Sequence, residues 1–337
     1  MTRLARWIVA APLAAALVLL PPVAHAQTTW KFVSIIPAGQ VFTKVFEELA
    51  RDLTQKSGGR LQVTLYPAGE LPYKGTEYMR TAGRGLVEMA EIVGGFTFGD
   101  APQLVLPDLP YIALNPAEQQ TLVAGMVPIA EAALRAHGVE PIAWGVYPRR
   151  QIVMRAPVSG LADFKGKKIR TAGGLEAEYL KVWHAVPSFV VWAEVYPAAQ
   201  RGIVDGVMTA TVAIETAKLY EVAPYFVKID GPENHFYISV NQGAWKALPA
   251  DLQKTVKQVG REWMEKWERI IVRGEDVKAL ERMQAKGQIK SVVALTEAER
   301  QETRRSVIPV LREYIKTKIG PDGVAAYDKL LTDLKLK

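Results

Sequence analysis

The stretch FKGKKIRTAGG, residues 164–174, contains an arginine that a ligand could approach. Arg170 lies in a short strand-like run and is followed by four small residues, Thr171 to Gly174. Such neighbours leave the guanidinium accessible. A guanidinium is planar, and its parallel N–H donors can hold both oxygens of a carboxylate. Arg170 is therefore a candidate binding residue, although this stretch alone leaves its partner open.

No catalytic motif accompanies this arginine. The sequence has no G-x-S-x-G, H-E-x-x-H, S-x-x-K or EF-hand pattern, and no G-x-G-x-x-G after a strand. Beyond the N-terminal leader, His137, His184 and His235 have no partner at metal-ligand spacing. Glu176 and Glu178 are interpreted as ordinary solvated helix charges. We expect no catalytic residue, no metal site and no cofactor, while a secreted enzyme stays an open alternative.

The N-terminus indicates export. Arg3 and Arg6 precede an apolar run, residues 7–20, and the sequence Ala24-His25-Ala26 then has the form of a signal peptidase site. We predict a cleaved signal peptide over residues 1–26 and a periplasmic mature protein. The absence of cysteine from all 337 residues excludes a lipoprotein anchor, disulfides and thiolate chemistry.

The charge pattern argues against nucleic acid as a partner. The formal net charge of +7 falls to +5 once the two leader arginines are removed (7 − 2). Basic residues are scattered among acidic ones, whereas nucleic-acid-binding proteins concentrate them on one surface. A mild positive potential is more consistent with an anionic small molecule.

The order of predicted elements indicates an α/β fold. The runs TTWKFVSII (28–36) and RLQVTLYP (60–67) are predicted strands on either side of an amphipathic helix that begins near Val41. The pattern restarts near residue 148 with a second α/β unit. A helical pattern then runs from about 251 to 286, or about 50 Å at 1.5 Å per residue, which is long enough to brace two units.

We predict two domains joined by a hinge, with the binding site in the cleft between them, near the carboxyl ends of strands. The predicted boundaries are 1–26 for the signal peptide, 27–147 plus 236–275 for domain I, and 148–235 plus 276–337 for domain II. The helix of about 251–286 spans both domains.

An ordered set of motifs resembles one family. WKFVSIIPAG (30–39), SGGRLQVTLYPAGEL (57–71), LADFKGKKIRT (161–171) and AEVYPAAQRGIVDG (193–206) resemble, in this order, segments of the solute-binding proteins of TRAP transporters, the DctP-type periplasmic receptors. The likeness extends over nearly the whole mature sequence. It implies a periplasmic-binding-protein-like fold with two α/β domains, a hinge and a long domain-spanning helix.

The resemblance also implies which arginines bind the ligand. In this family an arginine at the end of a G-x-K-x-R strand pairs with the ligand carboxylate, and that position is Arg170 here. A second family arginine falls in YPRRQIVM (147–154). It aligns best with Arg150, and the role of its neighbour Arg149 is left open.

Other pocket positions depart from the family pattern. Trp192 lies where the family has an aromatic pocket wall. Thr209 replaces a ligand-binding asparagine, and Ile92, Val93 and Gly94 stand where some relatives have polar groups. These departures indicate an apolar pocket, and hence an organic acid with a hydrophobic or aromatic body instead of a sugar acid.

Asn234 and His235 lie where the chain is predicted to return between the domains, and they are further pocket candidates. The resemblance implies a receptor that delivers an organic acid to the small and large membrane subunits of a TRAP transporter. Two alternatives are a sensor that presents its ligand to a signalling kinase and an enzyme built on the same two-domain frame.

Overall fold

The computed structural model describes residues 27–97 and 99–336, and within them the strands form two sheets. The predicted signal peptide lies outside the described residues. The strands of the first sheet are β1 (Thr28–Val33), β2 (Leu61–Tyr66), β3 (Met89–Val93), β4 (Val139–Tyr147) and β10 (Asn234–Asn241). They lie in the order β2-β1-β3-β10-β4.

The second sheet begins after Pro148 and Arg149. Its strands are β5 (Arg150–Met154), β6 (Lys168–Thr171), β7 (Val186–Phe189), β8 (Gly206–Ala210), β9 (Tyr225–Lys228) and β11 (Ser291–Ala294). They lie in the order β11-β9-β5-β8-β6-β7. We call the parts of the chain built on the two sheets the first lobe and the second lobe.

Helices pack against both sheets. The α-helices are α1 (Val41–Lys56), α2 (Tyr78–Gly83), α3 (Pro116–Ala136), α4 (Gly174–Val182), α5 (Val195–Gln200), α6 (Thr211–Thr216), α7 (Gln242–Ala247), α8 (Ala250–Trp267), α9 (Val277–Ala285), α10 (Glu297–Lys318) and α11 (Pro321–Asp333). None of the helices in the described ranges has both the length and the apolar character needed to cross a bilayer.

Both sheets are mixed. In the first, β1 is parallel to β2 and β3, and β10 is antiparallel to β3 and β4. In the second, β6 is parallel to β7 and β8, and β5 is antiparallel to β8 and β9. The strand–helix–strand unit formed by β1, α1 and β2 has the parallel pairing that the sequence predicts. The architecture is of the predicted α/β class.

An aromatic core holds α8 against the first sheet. The Trp267 ring packs against Phe46 and Phe236, with ring centroids 5.2 and 4.8 Å apart. Its indole N–H donates to the carbonyl of Val146 at 2.7 Å, which satisfies its polar atom inside the core. At Gly260 a Cβ would lie 2.4 Å from the Ile142 carbonyl oxygen, so only glycine allows this close approach of helix and strand.

The second lobe has its own core, beneath β5, β6 and β8. Tyr179 and Trp183 pack edge to face there, 5.2 Å apart, and the Trp183 N–H donates to Thr303 at 3.0 Å. Apolar side chains from residues 105–126 join this core, whereas Ala130 and Leu134 at the other end of α3 pack into the first. The segment before β4 thus contributes to both lobes, and the exact domain boundaries stay a prediction.

One helical segment runs without interruption from the first lobe to the second. It consists of α8, a π-helical stretch at Glu268–Asp276, and α9. Leu252 and Trp263 in α8 pack into the first core, whereas Met283 in α9 packs beneath the second sheet with Val153 and Phe226. The lobes are therefore linked by a helix as well as by the strand connections at 148–149 and 229–233.

A buried carboxylate ties together the strand ends of the first lobe. Glu91 on β3 is fully buried and accepts hydrogen bonds from the Ser34 hydroxyl (2.7 Å), the Ile35 N–H (3.0 Å) and the Tyr147 hydroxyl. Burial raises the pKa of Glu91 to about 7, although these three hydrogen bonds act to lower it. The native fold therefore favours the protonated form.

Glu91 should make the protein less stable as the pH rises. A carboxyl whose native pKa exceeds its unfolded value stabilises the fold fully below the unfolded value, and this contribution is gone above the native value. For a pKa raised from 4.5 to about 7, the loss between pH 5 and pH 8 is about 2–3 kcal/mol. The free energy of unfolding, measured with urea, should depend less on pH for Glu91→Gln than for the wild type. The exposed Glu47→Gln variant serves as the control, and a profile of Glu91→Gln parallel to the wild type would contradict this role.

Candidate ligand-binding site

The strands of the two lobes direct their ends toward a shared cavity of about 390 Å³, a volume that includes its opening to solvent. The first lobe lines it with Ile35, Ile36, Phe42, Val93, Phe96, Tyr147 and Asn234. The second lobe lines it with Arg150, Arg170, Ala172, Trp192, Thr209, Ala210 and Ala213. The carboxyl ends of β1, β3, β6 and β8 all meet there, as expected for a site in an α/β protein.

Arg170 is held in place by main-chain carbonyls. Its Nε donates to the Val190 carbonyl at 3.0 Å and its Nη1 to the Met208 carbonyl at 3.2 Å. Its Cζ lies 5.7 Å from the centre of the Trp192 ring, within reach of a cation–π interaction. The side chain is 2% exposed, so the guanidinium is both buried and fixed in orientation.

The charge of Arg170 has no counter-ion at salt-bridge distance among the described residues. Burial lowers the pKa of Arg170 to about 9; Glu176 acts to raise it, and Arg150 lowers it further. The group still carries its proton at neutral pH. A buried charge without a partner is unfavourable, and an anion in the cavity would relieve it. This geometry makes the cavity around Arg170 a candidate anion-binding site.

Arg150, in contrast, has a partner within the chain. Its Nε lies 3.0 Å from Glu176 Oε1, and both side chains are almost fully buried. The other Glu176 oxygen accepts the Ala172 N–H at 2.6 Å. The interpretation of Glu176 as a solvated helix charge is therefore wrong: the first turn of α4 packs against the cavity and buries this carboxylate. Because the pair is neutral, the uncompensated charge in the cavity is that of Arg170.

The remaining wall is mostly apolar. Trp192 covers one side, and its indole N–H reaches across to Gln40 Oε1 in the first lobe at 3.4 Å. Val93 lies at the end of β3, and Thr209 lies near the end of β8 with 2% exposure. The polar groups therefore sit among hydrocarbon and aromatic surfaces.

Four predicted candidates do not line the cavity. Ile92 and Gly94 flank Val93 but are buried elsewhere in the first lobe. His235 faces the opposite side of β10 from Asn234, where its Nδ1 lies 2.6 Å from Asp108 Oδ1. Arg149 lines a neighbouring cavity that it shares with acidic residues, at the strand connections between the lobes.

Some wall residues were missed from the sequence. Ile35 and Ile36 directly follow β1, and Phe96 follows β3 by three residues. The rule that ligands bind at the carboxyl ends of strands could have identified all three. Tyr147 is the last residue of β4, so the same rule applies to it. Phe42 carries no comparable signal, because its place depends on how α1 packs.

Direct contacts close the cavity between the lobes. The Phe96 and Phe189 rings meet edge to face with centroids 5.8 Å apart. Beside them the backbones of Gly95 and Gly173 approach so closely that a Cβ on Gly173 would lie 2.6 Å from the Gly95 carbonyl oxygen. No larger residue fits at this position without a shift of one lobe. The structure is thus a closed arrangement of the two lobes.

Two lobes that meet over a largely apolar cavity containing one uncompensated positive charge form the binding site of a ligand receptor. The sequence comparison identifies the class further. The chain belongs to the DctP family, bacterial extracellular solute-binding proteins of family 7, whose profile matches residues 32–317. It is 30% identical over 302 residues to the C4-dicarboxylate-binding periplasmic protein DctP of Rhodobacter capsulatus, with 86% of each chain covered. The family recognised from the motifs is confirmed, and with it the interpretation as a binding protein, because these relatives are solute receptors.

Solved structures share the fold. DctP7 of Bordetella pertussis, a receptor binding pyroglutamic acid, matches with a TM-score of 0.80 and 21% identity, over 92% of this chain and all of its own. A TRAP periplasmic solute-binding protein of Desulfovibrio salexigens with bound orotic acid matches with a TM-score of 0.81 and 22% identity, over 91% of this chain and all of its own. The likeness confirms the predicted two-domain periplasmic-binding fold.

The contact between Gly95 and Gly173 should control closure. Gly173→Ala places a methyl group against the opposing backbone, which should destabilise the closed arrangement by about 1–3 kcal/mol and enlarge the radius of gyration. Small-angle X-ray scattering measures the change. Gly160→Ala is a matched control because Gly160 also has an extended backbone before a helical turn, with φ 177° against −173° for Gly173. Its added Cβ would meet nothing closer than 3.7 Å. Identical scattering curves for the two variants would show that the glycine contact does not limit closure.

Proposed function

We propose that this protein is the periplasmic receptor of a TRAP-type secondary transporter and captures a small organic acid between its lobes. The observation that carries the proposal is the buried, uncompensated guanidinium of Arg170 in the cavity. Two parallel N–H donors match the two oxygens of a carboxylate, and the surrounding apolar surface strengthens the pairing. Arg150, already paired with Glu176, supplements this site through its remaining N–H groups.

The cavity walls favour an acid with an apolar or cyclic body. Trp192 and Phe96 provide flat surfaces, and Ile36 and Val93 provide aliphatic ones. Few wall groups could hydrogen-bond the many hydroxyls of a sugar acid, and each unpaired hydroxyl would be costly to bury. Structures of the same fold hold pyroglutamic and orotic acids, and others hold uronic acids, so the preference for an apolar or cyclic body rests on the cavity walls.

Ligand binding is coupled to closure because the two lobes contribute different parts of the site. Arg170 belongs to the second lobe, whereas Ile35 and Phe96 belong to the first. A ligand contacts both sets only in the closed arrangement, so it shifts the equilibrium toward closure. The small and large membrane subunits of the transporter then recognise the closed receptor, and an ion gradient drives uptake. Export by cleavage of residues 1–26 belongs to the same proposal.

Loss of the Arg170 charge should abolish most binding. Arg170→Gln keeps a long polar side chain but removes the positive charge, and affinity for pyroglutamate, orotate or succinate, tested as probes, should fall at least 100-fold, as expected for a buried charge pair. Isothermal titration calorimetry measures the affinities, and recovery of the unchanged probe excludes turnover. Arg155→Gln is the control, since it removes one positive charge from the exposed surface of the same lobe. Equal affinities for wild type and Arg170→Gln would refute the assignment.

A further inference from the structure

Asn234 lines the cavity with a buried polar side chain, and the described part of the protein does not satisfy its hydrogen-bonding capacity. It is 2% exposed, and its Oδ1 has no hydrogen-bond partner among the described residues. A buried acceptor without a donor costs about 1–3 kcal/mol. Such a group next to a binding cavity indicates that the ligand provides the missing partner.

The backbone holds this amide in place. Asn234 opens β10 and pairs in register with Tyr147 of β4. The next residue, His235, is anchored on the other face of the strand, where its backbone N–H and its Nδ1 both contact Asp108 Oδ1, at 2.8 and 2.6 Å. On the cavity side, a Cβ on Gly95 would lie 3.3 Å from Asn234 Nδ2. The backbone of Gly95 therefore lies close to the amide, and the strand register fixes the position from which the side chain extends.

Two of the other neutral polar groups near the cavity already have a hydrogen-bond partner. The Tyr147 hydroxyl is occupied by Glu91, and the Ser34 hydroxyl by the same carboxylate. Thr209 lies in the cavity wall on the second lobe and, within the described chain, its hydroxyl has no hydrogen-bond partner either. Asn234 and Thr209 are thus the neutral groups available to a ligand, one on each lobe.

We propose that Asn234 selects organic acids that carry a second hydrogen-bonding group, an N–H or O–H, on a compact and otherwise apolar body. Small cyclic amido acids and hydroxy acids are the chemical class that fits. This inference rests on the proposed function, in which Arg170 holds the carboxylate. The N–H or O–H of the ligand donates to Asn234 Oδ1, and Thr209 is placed to bind a neighbouring polar atom.

The selectivity follows from an asymmetry in hydrogen bonding. A site that hydrogen-bonds its ligand strongly rejects an analogue without the polar group, because the buried group of the protein is then left unpaired. A hydrocarbon acid of the same shape still pairs with Arg170 but leaves Asn234 without a donor. We expect wild-type protein to prefer the polar member of a matched pair at least tenfold.

Matched ligand pairs test the proposal by calorimetry. Pyroglutamate is compared with cyclopentanecarboxylate, and 2-hydroxy-3-methylbutanoate with 3-methylbutanoate. Asn234→Leu has a similar shape but no amide, so it should lose at least tenfold in affinity for the polar acids and keep or gain affinity for the hydrocarbon acids. Ser239→Ala is the control: Ser239 is another buried residue of β10 whose hydroxyl lacks a partner, and it lies outside the cavity lining.

The outcomes separate this inference from the proposed function. If binding depends on Arg170 but the wild-type protein does not prefer the polar acid in either pair, the role of Asn234 is overturned and the receptor function stays intact. The same holds if Asn234→Leu keeps the wild-type preference for the polar acids. A changed preference for the polar acids in Ser239→Ala would assign the effect to strand β10 instead of the Asn234 amide, and would also overturn the role of Asn234. Failure of the wild-type protein to bind any of the four acids would overturn both proposals.

Discussion

The organisation of this protein depends on one buried positive charge. Arg170 is held by the carbonyls of Val190 and Met208 and faces a cavity in which the described chain supplies it with no counter-ion. Carbonyl groups orient the guanidinium but neutralise none of its charge. The remaining features of the site fit this constraint: the walls are mostly apolar, and the second arginine is neutralised by Glu176 so that it does not repel the first as strongly. In the proposed function, an anion of matching shape supplies the missing negative charge.

The two lobes have different roles. The second lobe carries the charged groups, on β5, β6 and α4, where adjacent strands fix their spacing. The first lobe carries an apolar wall and the amide of Asn234. The carboxyl of Glu91 accepts a hydrogen bond from Tyr147, a residue of this wall. Because the residues around the cavity come from both lobes, a ligand contacts the whole site only when the lobes are together, and the long helix through Trp267 links the two lobes.

The sequence predicted the parts of the site that local patterns encode. Arg170 and Trp192 lie in short segments whose order resembles the family, and the structure places both beside the cavity. Strand alternation separates Asn234 from its neighbour His235, but which of the two faces the cavity depends on the register with β4. Glu176 was misinterpreted because the burial of a helix's first turn is decided by tertiary packing. The same holds for the choice between Arg149 and Arg150, which depends on where β5 begins.

The meeting of Gly95 and Gly173 has a consequence for how such receptors diversify. At this point the halves of the molecule touch through main-chain atoms, and hence this contact does not depend on the identity of apolar wall residues such as Val93 and Ala213. Residues such as Val93 or Ala213 can be exchanged during evolution without altering how the halves come together. New chemical preferences can therefore arise while this contact between the two lobes stays the same.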